Sequence, residues 1–139
     1  MQKNNHSSSA HTKHFASPFV QHAVEYDRHM RDTGHYAAQK KTIRALELEM
    51  QGPVLDVACG TGRLLHFLRP DCPQLYANDQ SAVMVKLCQK RNPSIPGTNK
   101  DAEKEGFYAN KKFETIICCN FFYYLKNPTK TLKRWSRLL

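Results

Sequence analysis

The sequence predicts an open, mostly parallel α/β sheet, and three observations carry that prediction. Val54, Leu55 and Val57 form an apolar, partly β-branched run of strand length, which passes through Gly60 and Gly62 into Leu64, Leu65 and Leu68 at helical spacing. A second run of strand length, 74–78, ends at Asp79, seventeen residues beyond Gly62, and another helical segment follows it. A third, 113–119, reads Phe-Glu-Thr-Ile-Ile-Cys-Cys, an apolar stretch of the kind found in buried strands. Strands separated by helical segments build parallel sheets.

The 139 residues predict one domain, and 40% apolar residues suffice for an ordinary core. Five cysteines, odd in number and without C-x-x-C or Cys/His metal spacing, predict reduced thiols in a cytoplasmic protein. No run of about eighteen apolar residues occurs, and the opening lacks a hydrophobic signal region. A Ser-rich, acid-poor opening suits a transit peptide, but such peptides are arginine-rich and the first arginine here is Arg28.

Residues 1–17 carry three histidines, three consecutive serines and almost no large apolar side chains, so they are predicted to form a disordered tail ahead of a domain spanning 18–139. His6, His11 and His14 are irregularly spaced, without cysteine or carboxylate partners, and are read as no metal site. From Pro18 the chain is helical, with Phe19, Val20, Ala23, Val24 and Tyr26 near helical spacing before a break at Asp32-Thr33-Gly34. A second, amphipathic helix follows, with Tyr36, Ile43, Leu46 and Met50 on one face, and ends at Gly52-Pro53.

At the first strand's carboxyl end, Gly60 and Gly62 allow a tight turn with positive φ, which would let backbone N–H groups approach a ligand at the next helix's N-terminus. A dinucleotide-binding turn has a third glycine in G-x-G-x-x-G, and Leu65 occupies that place. The pattern present is Asp56-x-Ala58-Cys59-Gly60-x-Gly62. It resembles motif I of the class I S-adenosylmethionine-dependent methyltransferases, with alanine in place of the first glycine. The resemblance implies that Asp56, Ala58, Cys59, Gly60 and Gly62 contribute to a site for S-adenosylmethionine. It also makes Tyr26-Asp27 similar to a Tyr-Asp pair that many such enzymes carry near the cofactor; Tyr26 is otherwise an amphipathic ring closing the helix pair.

Asp79 stands where nucleoside-binding α/β folds place an acid for the ribose hydroxyls, and a carboxylate can accept from both hydroxyls of a vicinal diol. Tyr76-Ala-Asn-Asp79-Gln80-Ser81 resembles motif II, whereas the plain reading of Asp79 is an N-cap for the helix 81–92. That helix is predicted to bury Val83, Met84, Leu87 and Cys88, with its methionine in the core. A weak strand near 97–100 precedes Asp101-Ala102-Glu103, which resembles the motif whose acid accepts from the adenine amino group; the other reading is a solvated loop. Phe107 and Tyr108 would pack that loop.

Asn120-Phe121-Phe122-Tyr123-Tyr124-Leu125 follows the fourth strand and resembles motif IV, which places Asn120 at the cofactor site. It lacks the prolines of the base-methylating Asn-Pro-Pro-aromatic form, and its aromatics either wall an acceptor pocket or simply pack. Residues 129–139 read as a basic amphipathic helix with Leu132, Trp135 and Leu139 on one side. The formal charge of +9 is compatible with an RNA partner, yet no RNA-binding signature accompanies it.

The resemblance covers about residues 20–139 and implies a doubly wound, Rossmann-like fold that transfers a methyl group to a small-molecule acceptor, as in quinone-biosynthesis methyltransferases. The alternative is a catalytically inactive, cofactor-binding relative. An RNA methyltransferase or an NAD-binding oxidoreductase ranks behind both. No catalytic base can be named; His66 and His22 are candidates by residue type alone. Family sheets have seven strands in the order 3-2-1-4-5-7-6, so the resemblance implies a domain truncated after about four. The fourth strand's open edge would then weaken the fold or recruit a second copy. No membrane association is expected.

Overall fold

The computed structural model describes residues 23–47, 49–108 and 110–139. The predicted tail, its histidines, Phe19, Val20 and His22 lie outside the described residues. In chain order the elements are α1 (Ala23–Asp32), α2 (His35–Ala45), β1 (Val54–Val57), α3 (Arg63–Leu68), β2 (Leu75–Asn78), α4 (Ala82–Arg91), β3 (Gly97–Thr98), β4 (Thr115–Ile117) and α5 (Pro128–Trp135). Short 3₁₀ turns occupy Phe122–Tyr124 and Ser136–Leu138.

The four strands form one parallel sheet in the order β3-β2-β1-β4, which is the order implied for the first four family strands. Val54 pairs with Leu75 on one side and Thr115 on the other, and Asp56 with Ala77 and Ile117. All four β1 residues are buried, as a central strand covered on both faces requires. Side chains alternate across it: Val54 joins a core of Ile43, Leu64, Leu65, Leu68 and Cys88 against α2, α3 and α4. Leu55 and Val57 join Phe107, Tyr108, Phe113 and Trp135 on the opposite face. Helices thus cover both faces, and the fold is doubly wound.

The second core is tied by polar atoms as well as by packing. Trp135 donates its indole N–H to the Ala102 carbonyl at 2.9 Å, and Tyr108 donates its hydroxyl to the Ala77 carbonyl at 3.0 Å. Tyr108 meets Phe113 edge-on, with ring centroids 5.2 Å apart, so the expected packing role of Phe107 and Tyr108 is what the structure shows.

Four expected details differ. The amphipathic helix α2 stops at Ala45 rather than running to Gly52, because Glu47 takes a left-handed φ of 47° and leaves Leu46 exposed. Helix α4 buries Met84, Val85 and Cys88, with Val83 exposed, so its inner face is turned by one residue. Strand β4 is Thr115–Ile117 and not 113–119: its register with β1 ends at Asp56, and Phe113 instead donates its N–H to the Leu138 carbonyl at 2.7 Å. Helix α5 starts at Pro128 with Asn127 as its cap and buries Thr131 and Trp135, leaving Leu132 and Leu139 exposed. No described helix is long and apolar enough to cross a membrane.

Candidate functional site

The site begins where β1 ends. Ala58, Gly60 and Gly62 all adopt left-handed conformations, with φ of 57°, 54° and 76°, which folds the chain tightly between β1 and α3. Alanine pays a steric cost there that glycine avoids, roughly 1–2 kcal/mol. Gly62 is needed for a second reason: a Cβ on it would lie 2.5 Å from the Cys88 sulfur and 2.7 Å from Asn92 Nδ2, so the turn packs directly on α4. At Gly60 the demand is conformational only, since the nearest atom to such a Cβ is Tyr26 Cε1 at 3.9 Å.

Three of the turn's N–H groups point into the protein. Cys59 donates to the Asn78 carbonyl at 3.0 Å, Gly60 to Asp79 Oδ2 at 2.9 Å, and Gly62 to the Cys59 carbonyl at 3.0 Å. These donors are spent on the protein itself. The turn contributes shape, and the polar atom it delivers is the carboxylate of Asp79.

Asp79 sits just beyond the carboxyl end of β2, held between two N–H donors: Gly60 on Oδ2, and Ser81 on Oδ1 at 2.9 Å. It is not the cap of α4, because the Ser81 hydroxyl accepts from the Met84 N–H at 3.3 Å and performs that task. Burial pushes the Asp79 carboxyl above the usual carboxylate range, against the opposing pull of the two N–H groups. A carboxylate offers about four lone-pair sites, so two acceptor positions remain.

Those positions belong to a cavity of about 530 Å³ at the carboxyl ends of the strands. Of the residues singled out by sequence, Tyr26, Ala58, Gly60, Asp79, Gln80, Ala102 and Asn120 line it. Asn120 follows β4 in a left-handed conformation, φ 58°, and its buried Nδ2 has no hydrogen-bond acceptor. Burial foremost, then the neighbouring hydroxyl of Tyr123 and carboxylate of Asp27, push the Tyr26 phenol up to about 12, so it is neutral at physiological pH.

Four of the expected site residues do not line this cavity. Gly62 is buried against α4. Cys59 and Asp56 instead line a cavity of about 30 Å³ behind the turn. Alternation along β1 turns Asp56 toward the α3 and α4 face, where burial raises its carboxyl well above the usual range. Asp101 closes its own loop by accepting the Glu103 N–H on Oδ1 at 2.9 Å. His66 is exposed and lines neither cavity.

The structure settles residues whose place the sequence left open or did not assign. Asn78, Ser81, Met84, Cys119, Phe121 and Tyr124 complete the large cavity, so the aromatics after β4 divide: Phe121 and Tyr124 wall it, while Tyr123 is 71% exposed. Met84 serves as core and as cavity wall together. Asp27, expected with Tyr26 near the cofactor, does not line this cavity and has a different role. Its carboxylate accepts from the Tyr36 hydroxyl at 2.7 Å, from the Thr61 hydroxyl, from Arg63 Nε at 3.0 Å and from Arg91 at 2.8 Å. One side chain of α1 thereby joins α2, the glycine turn, α3 and α4. The Tyr26-Asp27 pair was visible in the sequence, but partners 34 to 64 residues away leave no local signal.

Comparison with known proteins gives a consistent picture. The profile of the family described as "Methyltransferase domain" matches residues 54–139. The chain is similar to the sugar N-methyltransferase KedS8 from Streptoalloteichus sp., with 20% identity and a TM-score of 0.71 over 100% of this chain and 56% of that one. It is similar to DesVI from Streptomyces venezuelae, with 26% identity and a TM-score of 0.69 over 85% of this chain and 52% of that one. It is also similar to DhpI, solved as a complex with SAH, with 18% identity and a TM-score of 0.70 over 86% and 59%. The chain spans about half the length of the solved structures it matches. No curated protein matches it in sequence.

Proposed function

The chain belongs to the methyltransferase domain family, and from that premise we propose that it binds S-adenosylmethionine in the cavity at the strand ends and carries out methyl transfer to a small-molecule acceptor. The observation that carries this reading is Asp79, clamped between the N–H groups of Gly60 and Ser81 with acceptor positions to spare on the cavity wall. A vicinal diol on a nucleoside ribose is the partner such a carboxylate suits. A volume of about 530 Å³ falls in the ordinary range for a small-ligand pocket.

The residues fit this cofactor better than a dinucleotide. A pyrophosphate needs free N–H groups at the glycine turn, and those of Cys59, Gly60 and Gly62 are engaged within the protein. S-adenosylmethionine has no phosphate and needs no such cradle.

When bound, the cofactor supplies an electrophilic methyl group on a sulfonium that is already a good leaving group. The protein's part is positioning. In this reading Asp79 holds the ribose, Gln80 and Ala102 border the nucleoside, and Met84 packs beneath it. Asn120 offers its unpaired Nδ2 to an acceptor atom on the ligand, and Tyr26, Phe121 and Tyr124 exclude water around the reacting end. Asp101 contributes by shaping the loop that presents Ala102. Cys59 acts from behind the turn, where its thiol donates to the Gly60 carbonyl at 3.6 Å, and Asp56 lies buried on the same side.

Equilibrium dialysis of the full chain with S-adenosylmethionine labelled in the methyl group, followed by incubation with a small-metabolite extract, tests both halves. Saturable retention and label in a metabolite fraction are expected. Retention without transfer selects the inactive cofactor-binding alternative, and retention of a nicotinamide dinucleotide instead refutes the assignment.

A further inference from the structure

A second cavity, of about 570 Å³, lies between α1, the start of α3 and the end of α4. Arg28, Arg31, Arg63, Lys90 and Arg91 line it, and Asp27 is the one acid among its lining residues. From this juxtaposition we infer that the groove is a binding site for an oligophosphate, separate from the cavity at the strand ends.

Asp27 compensates one of the five cations, and Arg31 is paired with Asp32, 3.1 Å away on the exposed surface. Arg28 and Lys90 have no ion pair among the described residues. Cations crowded into one concave site repel each other more strongly than on a flat, fully solvated surface, because low-dielectric walls focus the field. An anionic ligand relieves that repulsion.

The groove is also organised. Arg63 and Arg91 bond Asp27 at 3.0 and 2.8 Å, and Arg91 further donates to the Thr61 carbonyl at 2.5 Å. Their positions are therefore set before any ligand arrives, which lowers the ordering cost of binding. Each guanidinium has five N–H donors, more than these bonds consume. Arg28 and Lys90 are exposed and complete the site from α1 and α4.

Several phosphate groups in a row suit this geometry better than a single carboxylate, because the cations come from three elements around a space of small-ligand size. Residues 1–22 contain no Asp or Glu and add Lys3 and Lys13, so they bring no anionic side chain that could balance these cations.

The test is calorimetric titration of sodium tripolyphosphate, and separately of a twelve-nucleotide oligouridylate, into the full chain at low salt. Arg28→Gln/Lys90→Gln is the test variant, since neither residue takes part in the Asp27 network. Lys130→Gln/Lys133→Gln removes the same charge from α5 and is the control. Saturable binding of one tripolyphosphate is expected, at least tenfold weaker in the test variant and within twofold of wild type in the control. If the natural source is a nucleic acid, the oligouridylate binds more tightly than tripolyphosphate and shows the same dependence; if it is a small polyphosphate, the order reverses. Absent saturation by either probe, or equal weakening in the two variants, would overturn the inference.

Discussion

Replacing Asp27 by Asn keeps the shape of the side chain and removes its charge. In the wild type the carboxylate gathers Tyr36, Thr61, Arg63 and Arg91. An amide would present an NH₂ group to some of these donors and leave two guanidinium groups without a counter-charge. Breaking one partner of a buried ion pair costs about 3–5 kcal/mol. The Arg63 side chain is 37% exposed, so its share is discounted toward the 0.2–1 kcal/mol of roughly surface-type pairs, and the Arg91 pair, at 27%, is only half-buried. A total of about 2–4 kcal/mol follows. For a chain of this length each kcal/mol moves the melting temperature by roughly 3–5 °C, so Asp27→Asn is expected to lower Tm by about 6–20 °C in a circular-dichroism melt. The same substitution defines a pH dependence. Burial pushes the Asp27 carboxyl up, but the hydrogen bonds from Thr61, Tyr36 and Arg91 outweigh it and hold it below its ordinary value. A carboxylate more acidic in the folded state stabilises above the unfolded pKa of about 3.9 and loses that contribution as pH falls through the folded value. Wild type and Asp27→Asn are therefore expected to converge in acid. A stability difference below about 1 kcal/mol at neutral pH would show that Asp27 does not join these elements.

Three further outcomes are expected. Gly62→Ala combines a left-handed backbone with a Cβ driven against Cys88 and Asn92, and is expected to cost about 2–5 kcal/mol in urea denaturation, whereas Gly34→Ala, equally left-handed but facing open space, costs only about 1–2; equal losses would refute the packing argument. Burial raises the Asp56 carboxyl, so its contribution is favourable below the unfolded pKa and lost as pH rises through the folded one; Asp56→Asn is accordingly expected to raise Tm at neutral pH and flatten the pH profile, and a lower Tm at every pH would contradict this. Trp135 is the single tryptophan and is 4% exposed, so emission should shift to the red on unfolding, and Trp135→Phe, which strands the Ala102 carbonyl, should destabilise by about 1–3 kcal/mol.

What could be read from the sequence follows the range of the forces involved. The segment from Val54 to Leu68 was legible because its strand, turn and helix are each specified by neighbours in sequence: an apolar run, two left-handed glycines, leucines at helical spacing. Asp79 was legible by its distance from that turn. Helix faces were read less well. The choice between Leu132 and Thr131 on α5 depends on where Asn127 and Pro128 set the first turn, a rotation of one residue that an apolar count does not resolve. Strand β4 was overestimated because the run of apolar residues continues past the point where its register with β1 ends. The direction of the turn's N–H groups and the convergence on Asp27 are tertiary. Nothing near Asp27 in sequence announces Arg91, and nothing near Gly60 announces that its N–H is taken by Asp79.

In the proposed function Asp79 serves two partners at once, the glycine turn and a nucleoside ribose. Calorimetric titration of S-adenosylhomocysteine into wild type and Asp79→Asn tests it most directly, since the amide can keep one of the two N–H bonds and so spares the fold more than alanine would. Wild type is expected to bind one equivalent, and the variant to lose bonds to a charged acceptor of about 1.5–3 kcal/mol, which is roughly a 10- to 150-fold weaker Kd. Equal affinity in the two proteins, with the variant folded, would contradict the ribose role of Asp79.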